Sequence, residues 1–373
     1  MQLAAVLNQY HDVFQEKYGS RLLPGHLRAI DAISRCRTPE AGQLLVQCGG
    51  CGHTEWRPRS CGHRSCPQCQ NHDTSRWLDR QQEKLLPVDY FLATFTLPYE
   101  LRFLAWDHQT LVYNLLFACA ASTLKDFGVN PKNLGADIGM TAVLHTHNRR
   151  LDYHPHVHVV VPGGGVDKAK KQWKKKKSKF LFNEFALAKV FRARFLEASA
   201  KAGLNLPGSV PGKWVVDCKR AGKGPSALKY LSRYLYRGVI GENNIVSNQD
   251  GKITFRYIES RTGKTRYRTV QGEDFLWLVL QHVLPKGFRR ARDYGFLHGN
   301  AKKLLSLVQL ILQVLIQAGS GRLLSAPYAR LPCESWLSDD RSLHRDNLFK
   351  WQKPGINSII GGVACLYDID VHF

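Results

Sequence analysis

Residues 154–165 read HPHVHVVVPGGG, and no other stretch restricts the folding of the chain as tightly. In an extended backbone alternate side chains share a face, so His154, His156 and His158 project one way and Val157, Val159 and Val161 the other. Just upstream, VLHTHN places His145 and His147 on one face in the same manner, and a short polar turn at 148–153 folds the first strand back beside the second. The prediction is a rigid antiparallel hairpin with several imidazoles gathered across two strands. Imidazoles are neutral near pH 7 and suit a divalent ion, which, held by histidines with coordination positions free, acts as a Lewis acid on a substrate oxygen. His156 and His158 are the candidate ligands. His145, eleven residues before His156, is a candidate third; His154 competes for that place, although Pro155 bends the strand beside it.

A Lewis acid needs a nucleophile to work with. Residues 226–239, SALKYLSRYLYRGV, read as a helix on which Tyr230 and Tyr234 stack one turn apart, while Tyr236 falls about 200° around from Tyr234. Taken alone, such a tyrosine pair is usually a core or groove feature. Here Lys229, Arg233 and Arg237 form a basic stripe beside it, and Ser226 is placed to cap the helix. A tyrosine hydroxyl, with an ordinary pKa near 10, is a weak nucleophile at neutral pH. Attack on a metal-polarised phosphodiester gives a phosphotyrosine bond that conserves the energy of the broken strand.

Charge agrees with a polyanionic substrate. The 373 residues carry 53 Lys+Arg against 30 Asp+Glu, a net charge of +23, which suits nucleic acid or, less often, an anionic membrane surface. The segment KAKKQWKKKKSK, residues 168–179, holds eight lysines, among them Lys174, Lys175, Lys176 and Lys177, and reads as a basic loop gripping phosphates with Trp173 exposed to stack on bases. The N-terminus lacks a basic region ahead of an unbroken apolar core, so it does not read as a secretory signal. The longest apolar run, 304–319, is interrupted by Gln309 and Gln313 and falls short of the roughly 20 apolar residues of a membrane span.

Six of the ten cysteines, Cys36, Cys48, Cys51, Cys61, Cys66 and Cys69, crowd into 34 residues. Crowding of this kind without a signal peptide points to metal in a reducing cytoplasm rather than to disulfides. CGGC at 48–51 and CPQC at 66–69 have the spacing that lets four thiolates close around one zinc, with Gly50, Gly52, Gly62 and Pro67 supplying tight turns. Cys36, Cys61, His53 and His63 remain for a possible second zinc. A zinc closed by four protein ligands has no open position and is structural.

These readings give an α+β chain in three parts: a helical and zinc-binding module at 1–85, a domain at 86–300 in which an antiparallel sheet is flanked by helices, and a C-terminal helix and tail at 301–373. Strands are predicted over 89–98, 139–148, 155–164, 252–260 and 264–272, the last two forming a hairpin around RTG; helices are predicted within 1–35, 76–87, 101–128, 182–203 and 226–239.

The combination of SCGHRSCPQCQ, YFLATFTLP, VLHTHNRRLDYHPHVHVVVPGGG, LKYLSRYLYRGVI and LQHVLPKGFRRARDYGFLHGN resembles the rolling-circle insertion-sequence transposases of the HUH (His-hydrophobe-His) class, in the branch with two tyrosines and an N-terminal zinc-binding domain. The likeness runs from about residue 20 to 300. It implies an HUH endonuclease-like sheet, a metal pair at His156 and His158 with His145 as third ligand, and nucleophiles at Tyr230 and Tyr234. It also implies that Lys219 lies in the basic Gly-Pro segment ahead of the tyrosine helix and binds DNA. The implied work is nicking one DNA strand at an element end, holding the 5′ phosphate on tyrosine, and resealing it at a short target. The implied cofactors are structural Zn²⁺ and catalytic Mg²⁺ or Mn²⁺; the implied partner is single-stranded DNA with hairpin-containing ends, in the bacterial cytoplasm at the nucleoid. His147 stands where the family often has an aromatic residue, Tyr236 where it often has His, and Gln43 and Ser65 where zinc-site histidines are expected. Two other functions fit the same residues: a zinc-finger nucleic-acid binder without catalysis, and a replication initiator or relaxase with the same chemistry.

Overall fold

Five antiparallel strands build the platform of the molecule, in the order β12-β4-β5-β3-β8, where β3 is Asp89–Thr96, β4 Met140–His147, β5 Tyr153–Pro162, β8 Val216–Lys223 and β12 Ala291–Tyr294. The computed structural model describes residues 1–48, 52–69, 77–176, 178, 180–223, 239–259, 262–314 and 367–368. The tyrosine helix expected over 226–239 falls almost entirely outside them, with Lys229, Tyr230, Arg233, Tyr234, Tyr236 and Arg237; so do Cys51, Lys177 and residues 315–366.

The two faces of the sheet have different occupants. Phe91, Ala93 and Phe95 of β3, Met140, Ala142 and Leu144 of β4, and Val157, Val159 and Val161 of β5 are buried in one core with helices α4 (Gln109–Val129) and α5 (Glu184–Lys201). Both helices reach it through large side chains such as Leu116, Phe117, Phe191 and Phe195. Each contributes roughly 1.5–3 kcal/mol on burial, which fixes which face of β5 looks inward. The other face is apolar at one end only, where Tyr90, Leu92, Val143 and Val160 pack under Trp77, Phe296 and Val308. At the opposite end lie the histidines.

Register between β4 and β5 pairs His145 with His156 and Val143 with His158, with a bulge between His145 and His147. The connecting turn is clamped. Asn148 Oδ1 accepts from the backbone N–H groups of Arg150 and Asp152 at 2.8 and 3.0 Å, and Leu151 sits at φ 68°. The Leu151 carbonyl accepts from Gln281 Nε2 at 3.1 Å and lies 3.0 Å from His282 Nε2.

Helices α1 (Leu3–Tyr18) and α2 (Pro24–Arg35) pack with α6 (Gly272–Leu280) and with strands β9 (Ile245–Gln249) and β10 (Lys252–Ile258) in a second core that includes Leu3, Val6, Phe14, Phe255 and Phe275. Strand β11 (Thr265–Gln271) completes a three-stranded antiparallel sheet with β10 in the middle. Helix α1 is buried against α6 in this core. One compact unit comprises Met1–Cys36 and Cys61–Ile316; the other comprises Arg37–Ser60 and Gln317–Phe373 and contains a hairpin of β1 (Gln43–Cys48) and β2 (Thr54–Pro58), with β13 (Tyr367–Asp368) paired to β1.

The lysine run departs from the expected loop. Residues Gln172–Lys175 form β7, paired with β6 (Gly164–Asp167). The triple glycine explains how: a Cβ at Gly164 would stand 2.6 Å from the Lys174 carbonyl oxygen and from the Trp173 ring, and one at Gly165 would stand 2.6 Å from the Asp137 oxygen. The apolar run begun at 304 forms α7 (Lys302–Ile311), and among the described residues no helix is long and apolar enough to cross a membrane.

Candidate metal and DNA-processing site

Three imidazoles converge where β4 and β5 pair. One ring nitrogen from each of His145, His156 and His158 lies within 4.8 Å of the others, and His156 Nε2 stands 3.2 Å from His158 Nε2. Two nitrogens bound to one metal at about 2.1 Å lie roughly 3.0–3.4 Å apart for octahedral to tetrahedral angles, so this spacing fits a shared ion. Two of the other ring nitrogens are engaged. His156 Nδ1 donates to the His154 carbonyl at 2.6 Å, which puts its proton on Nδ1 and leaves its Nε2 lone pair free for a metal, and His158 Nδ1 lies 2.9 Å from Thr94 Oγ1, an acceptor for the same tautomer. Burial pushes the pKa of His145 and His156 well below the usual histidine value and that of His158 to about 4, so all three are neutral near pH 7. The donor set fits a divalent cation.

The surroundings are cationic. Lys219 acts on His158, Arg290 on His145 and Arg102 on His156, each lowering the proton affinity further. Lys219 is paired with Asp217 at 2.7 Å on β8, and both share the histidine face through Thr94 and Leu92 of β3. His154, the competing third ligand, is instead turned to Arg102, whose Nη2 lies 2.5 Å from its Nδ1. His147 faces His282, with ring centroids 5.3 Å apart, and its Nδ1 is buried with no hydrogen-bond partner.

A second metal-like cluster ends α2. Sγ atoms of Cys36, Cys61, Cys66 and Cys69 all lie within 4.8 Å of one another, with Cys36 to Cys69 at 3.4 Å and Cys61 to Cys69 at 3.6 Å. Four sulfurs at 2.3 Å from a tetrahedral zinc would be about 3.8 Å apart, so these residues fit that ion. Burial pushes the Cys61 thiol up to about 12 and raises Cys66 as well; at Cys69 burial acts in the same direction, but hydrogen bonds led by that from Cys36 prevail and lower it. Among the described residues these are the four thiols that come together. The Cys66–Cys69 pair meets Cys36 and Cys61, because Gly62, at φ 60°, and the turn at 66–69 fold the segment onto the end of α2. Cys51 and the side chain of Cys48 lie outside the described residues. Of the second expected set, Cys36 and Cys61 belong to this cluster, His53 is exposed, and His63 accepts through Nδ1 from the Ser65 N–H.

Trp173 differs from the expectation. It is half-buried, packs edge-to-face on Phe296 at 5.9 Å, and is not an exposed stacking residue. Lys174 is committed to the Gly135 carbonyl at 2.8 Å and to Asp167 at 3.0 Å, and Lys176 stands over the Phe182 ring, whereas Lys175 is exposed. Sequence reasoning missed Thr94, Arg102 and Arg290. Thr94 had a signal, a polar residue in the interior of the otherwise apolar strand FLATF.

A family model described as "Putative transposase" matches residues 139–304, and one described as "Transposase zinc-binding domain" matches residues 6–97. The protein named "Putative transposase y4qJ" of Sinorhizobium fredii is 36% identical over 331 residues, 83% of each chain. The transposase for insertion sequence element IS801 of Pseudomonas savastanoi pv. phaseolicola is 28% identical over 291 residues, 73% of this chain and 70% of that one. Among solved structures, the conjugative relaxase TrwC in complex with oriT DNA aligns at 15% identity and a TM-score of 0.26, over 60% of this chain and 70% of that one.

Proposed function

We propose that this chain, which belongs to the family of rolling-circle insertion-sequence transposases carrying a transposase zinc-binding domain, nicks single-stranded DNA and rejoins it through a 5′-phosphotyrosine intermediate. The observation that carries this reading is the convergence of one ring nitrogen each from His145, His156 and His158, with the Nδ1 atoms of His156 and His158 held by the His154 carbonyl and Thr94. Mg²⁺ or Mn²⁺ at this point supplies Lewis-acid polarisation of the scissile phosphate. Lys219 and Arg290, beside the cluster, favour the approach of that anionic group. The attacking hydroxyl belongs to Tyr230 or Tyr234, on the segment that follows β8. Its oxygen bonds to phosphorus, the 3′ oxygen leaves and takes a proton, and the 5′ phosphate stays on tyrosine until a second strand's 3′ hydroxyl reverses the exchange.

Cys36, Cys61, Cys66 and Cys69 hold a structural zinc in this reading, and exposed lysines such as Lys175 contact the DNA backbone together with Lys229, Arg233 and Arg237. The partner is single-stranded DNA bearing hairpin ends and a short target, met in the bacterial cytoplasm at the nucleoid. Incubation of the full chain with single-stranded DNA and Mn²⁺, followed by denaturing electrophoresis, is expected to give a protein–DNA adduct. His156→Ala should abolish it while leaving DNA binding, and the double change of Tyr230 and Tyr234 to Phe should abolish it with metal binding intact. An adduct formed by the double variant would overturn the nucleophile assignment.

A further inference from the structure

Strand β3 ends at Thr96, which pairs with His156, and the Leu97 N–H reaches the Pro155 carbonyl at 3.2 Å. The chain then turns through Tyr99–Leu101 into helix α3 (Arg102–Asp107), so residues 99–103 follow directly from the strand beside the histidines. This segment is anchored: Leu101 and Ala105 are fully buried. Tyr99 and Phe103 nevertheless stand 74% and 77% exposed. An aromatic ring presented to water from a fixed backbone marks a contact surface more often than a packing failure.

Arg102 lies between these rings and the metal site. Its guanidinium carbon is 5.0 Å from the Tyr99 ring centroid, Nη2 meets His154 Nδ1, and the His154 carbonyl in turn holds His156. The Nε atom is buried without a hydrogen-bond partner, and among the described residues no carboxylate pairs with this cation. Asp152 and Glu100 act on it at a distance, and Asp152 is tied to Arg268 at 2.8 Å. A half-buried guanidinium with no carboxylate in contact suits an anion arriving from outside.

Resting on the strand-transfer reading above, we propose that Tyr99 and Arg102 form a nucleotide platform beside the histidine cluster. The Tyr99 ring stacks on an unpaired base of single-stranded DNA, and the Arg102 guanidinium holds the adjoining phosphate. Only an unpaired base offers a free face to such a ring, which would give the site a preference for single strands over duplex.

The test measures binding of the full chain to fluorescein-labelled oligo-dT and to a duplex of the same length, without added Mg²⁺ or Mn²⁺ so that no cleavage contributes. Tyr99→Ala is expected to weaken single-strand binding roughly five- to hundredfold, the loss of one stacked base, with duplex binding unchanged and Tyr99→Phe close to wild type. Arg102→Gln is expected to reduce the slope of log K against log salt by about 0.7, one phosphate contact on a single strand, and Arg102→Lys to restore it. Photocrosslinking of 5-iododeoxyuridine in the same strand should label Tyr99. Unchanged binding by Tyr99→Ala, equal weakening on duplex, or an unaltered salt slope in Arg102→Gln would each overturn the proposal. Adduct formation is scored separately on the wild-type chain with Mn²⁺. Its absence would refute the strand-transfer reading alone, and its presence beside a silent Tyr99→Ala would refute the platform alone.

Discussion

Replacing Thr94 by valine tests whether the histidines are a metal site or merely a buried cluster. Thr94 Oγ1 lies 2.9 Å from His158 Nδ1, and His158 Nε2 faces His156 Nε2 at 3.2 Å. For Nε2 to offer a lone pair, Nδ1 must carry the proton and donate it to Thr94. Valine keeps the shape of the side chain and removes the acceptor. The Nδ1–H is then buried without a partner, at about 1–3 kcal/mol, and the tautomer with the proton on Nε2 competes. Loss of such a supporting bond typically weakens metal affinity 10–100-fold, or about 1.4–2.7 kcal/mol, which agrees with the hydrogen-bond figure. His156 is an internal control, because its Nδ1 partner is a backbone carbonyl that no side-chain change removes. Calorimetric titration with Mn²⁺ should show this loss in Thr94→Val and recovery in Thr94→Ser. A folded Thr94→Val protein that binds Mn²⁺ as wild type does would refute the assignment of the Nε2 lone pairs to a metal.

Three further outcomes follow from the same geometry. Cys36→Ser or Cys61→Ser should lower zinc content below about one per chain, whereas Cys48→Ser should not; elemental analysis showing the reverse would return the site to the Cys48–Cys51 pair. Burial pushes His26 and His282 each to about 4, below the value near 6.5 in the unfolded chain. The folded state therefore binds fewer protons between these values, and stability should be full above pH 6.5 and fall by up to roughly 3 kcal/mol per histidine as pH drops towards 4. Melting temperatures unchanged between neutrality and the middle of that window would contradict it. Gly295 sits at φ 61°, where a Cβ would stand 1.9 Å from the Ile138 carbonyl oxygen, so Gly295→Ala should cost roughly 3–5 kcal/mol in denaturant unfolding.

The hairpin was legible because a two-residue period assigns every side chain of 154–162 to a face, and the short turn leaves few registers. The long amphipathic and buried helices were legible for the matching reason at a period of 3.6. The cysteine partnership was not, since spacing shows that six thiols are near in sequence without showing which four meet; that depends on how α2 ends and on the turn at Gly62. Thr94 and Arg102 act through register and reach across three strands and a helix, relations that no local pattern encodes. The strand in the lysine run is not legible from its charge, which suits a solvated loop; it depends on the missing side chains of Gly164 and Gly165, which let β7 close on β6.

Among the described residues the histidine cluster contains no carboxylate, and its neighbours include the cations Arg290, Arg102 and Lys219, the last paired with Asp217. Buried neutral imidazoles resist protonation and keep their lone pairs, yet the positive charges of Arg290 and Arg102 oppose the arrival of a dication. A phosphodiester reverses that field. It brings one negative charge to the point where the cations and the metal converge, so the ion and the DNA should bind more tightly together than apart. Coupling of this kind is typically 1–3 kcal/mol, or about 5–150-fold, and it is reciprocal for equilibrium binding. Oligo-dT should therefore tighten Mn²⁺ binding by the same factor by which Mn²⁺ tightens oligo-dT, measured on the double Tyr230→Phe, Tyr234→Phe chain so that no covalent step intervenes. Arg290→Gln should raise the affinity for Mn²⁺ alone and shrink the coupling. If Mn²⁺ affinity were indifferent to DNA, the ion and the phosphate would not share this site, and the cations around the histidines would need another role.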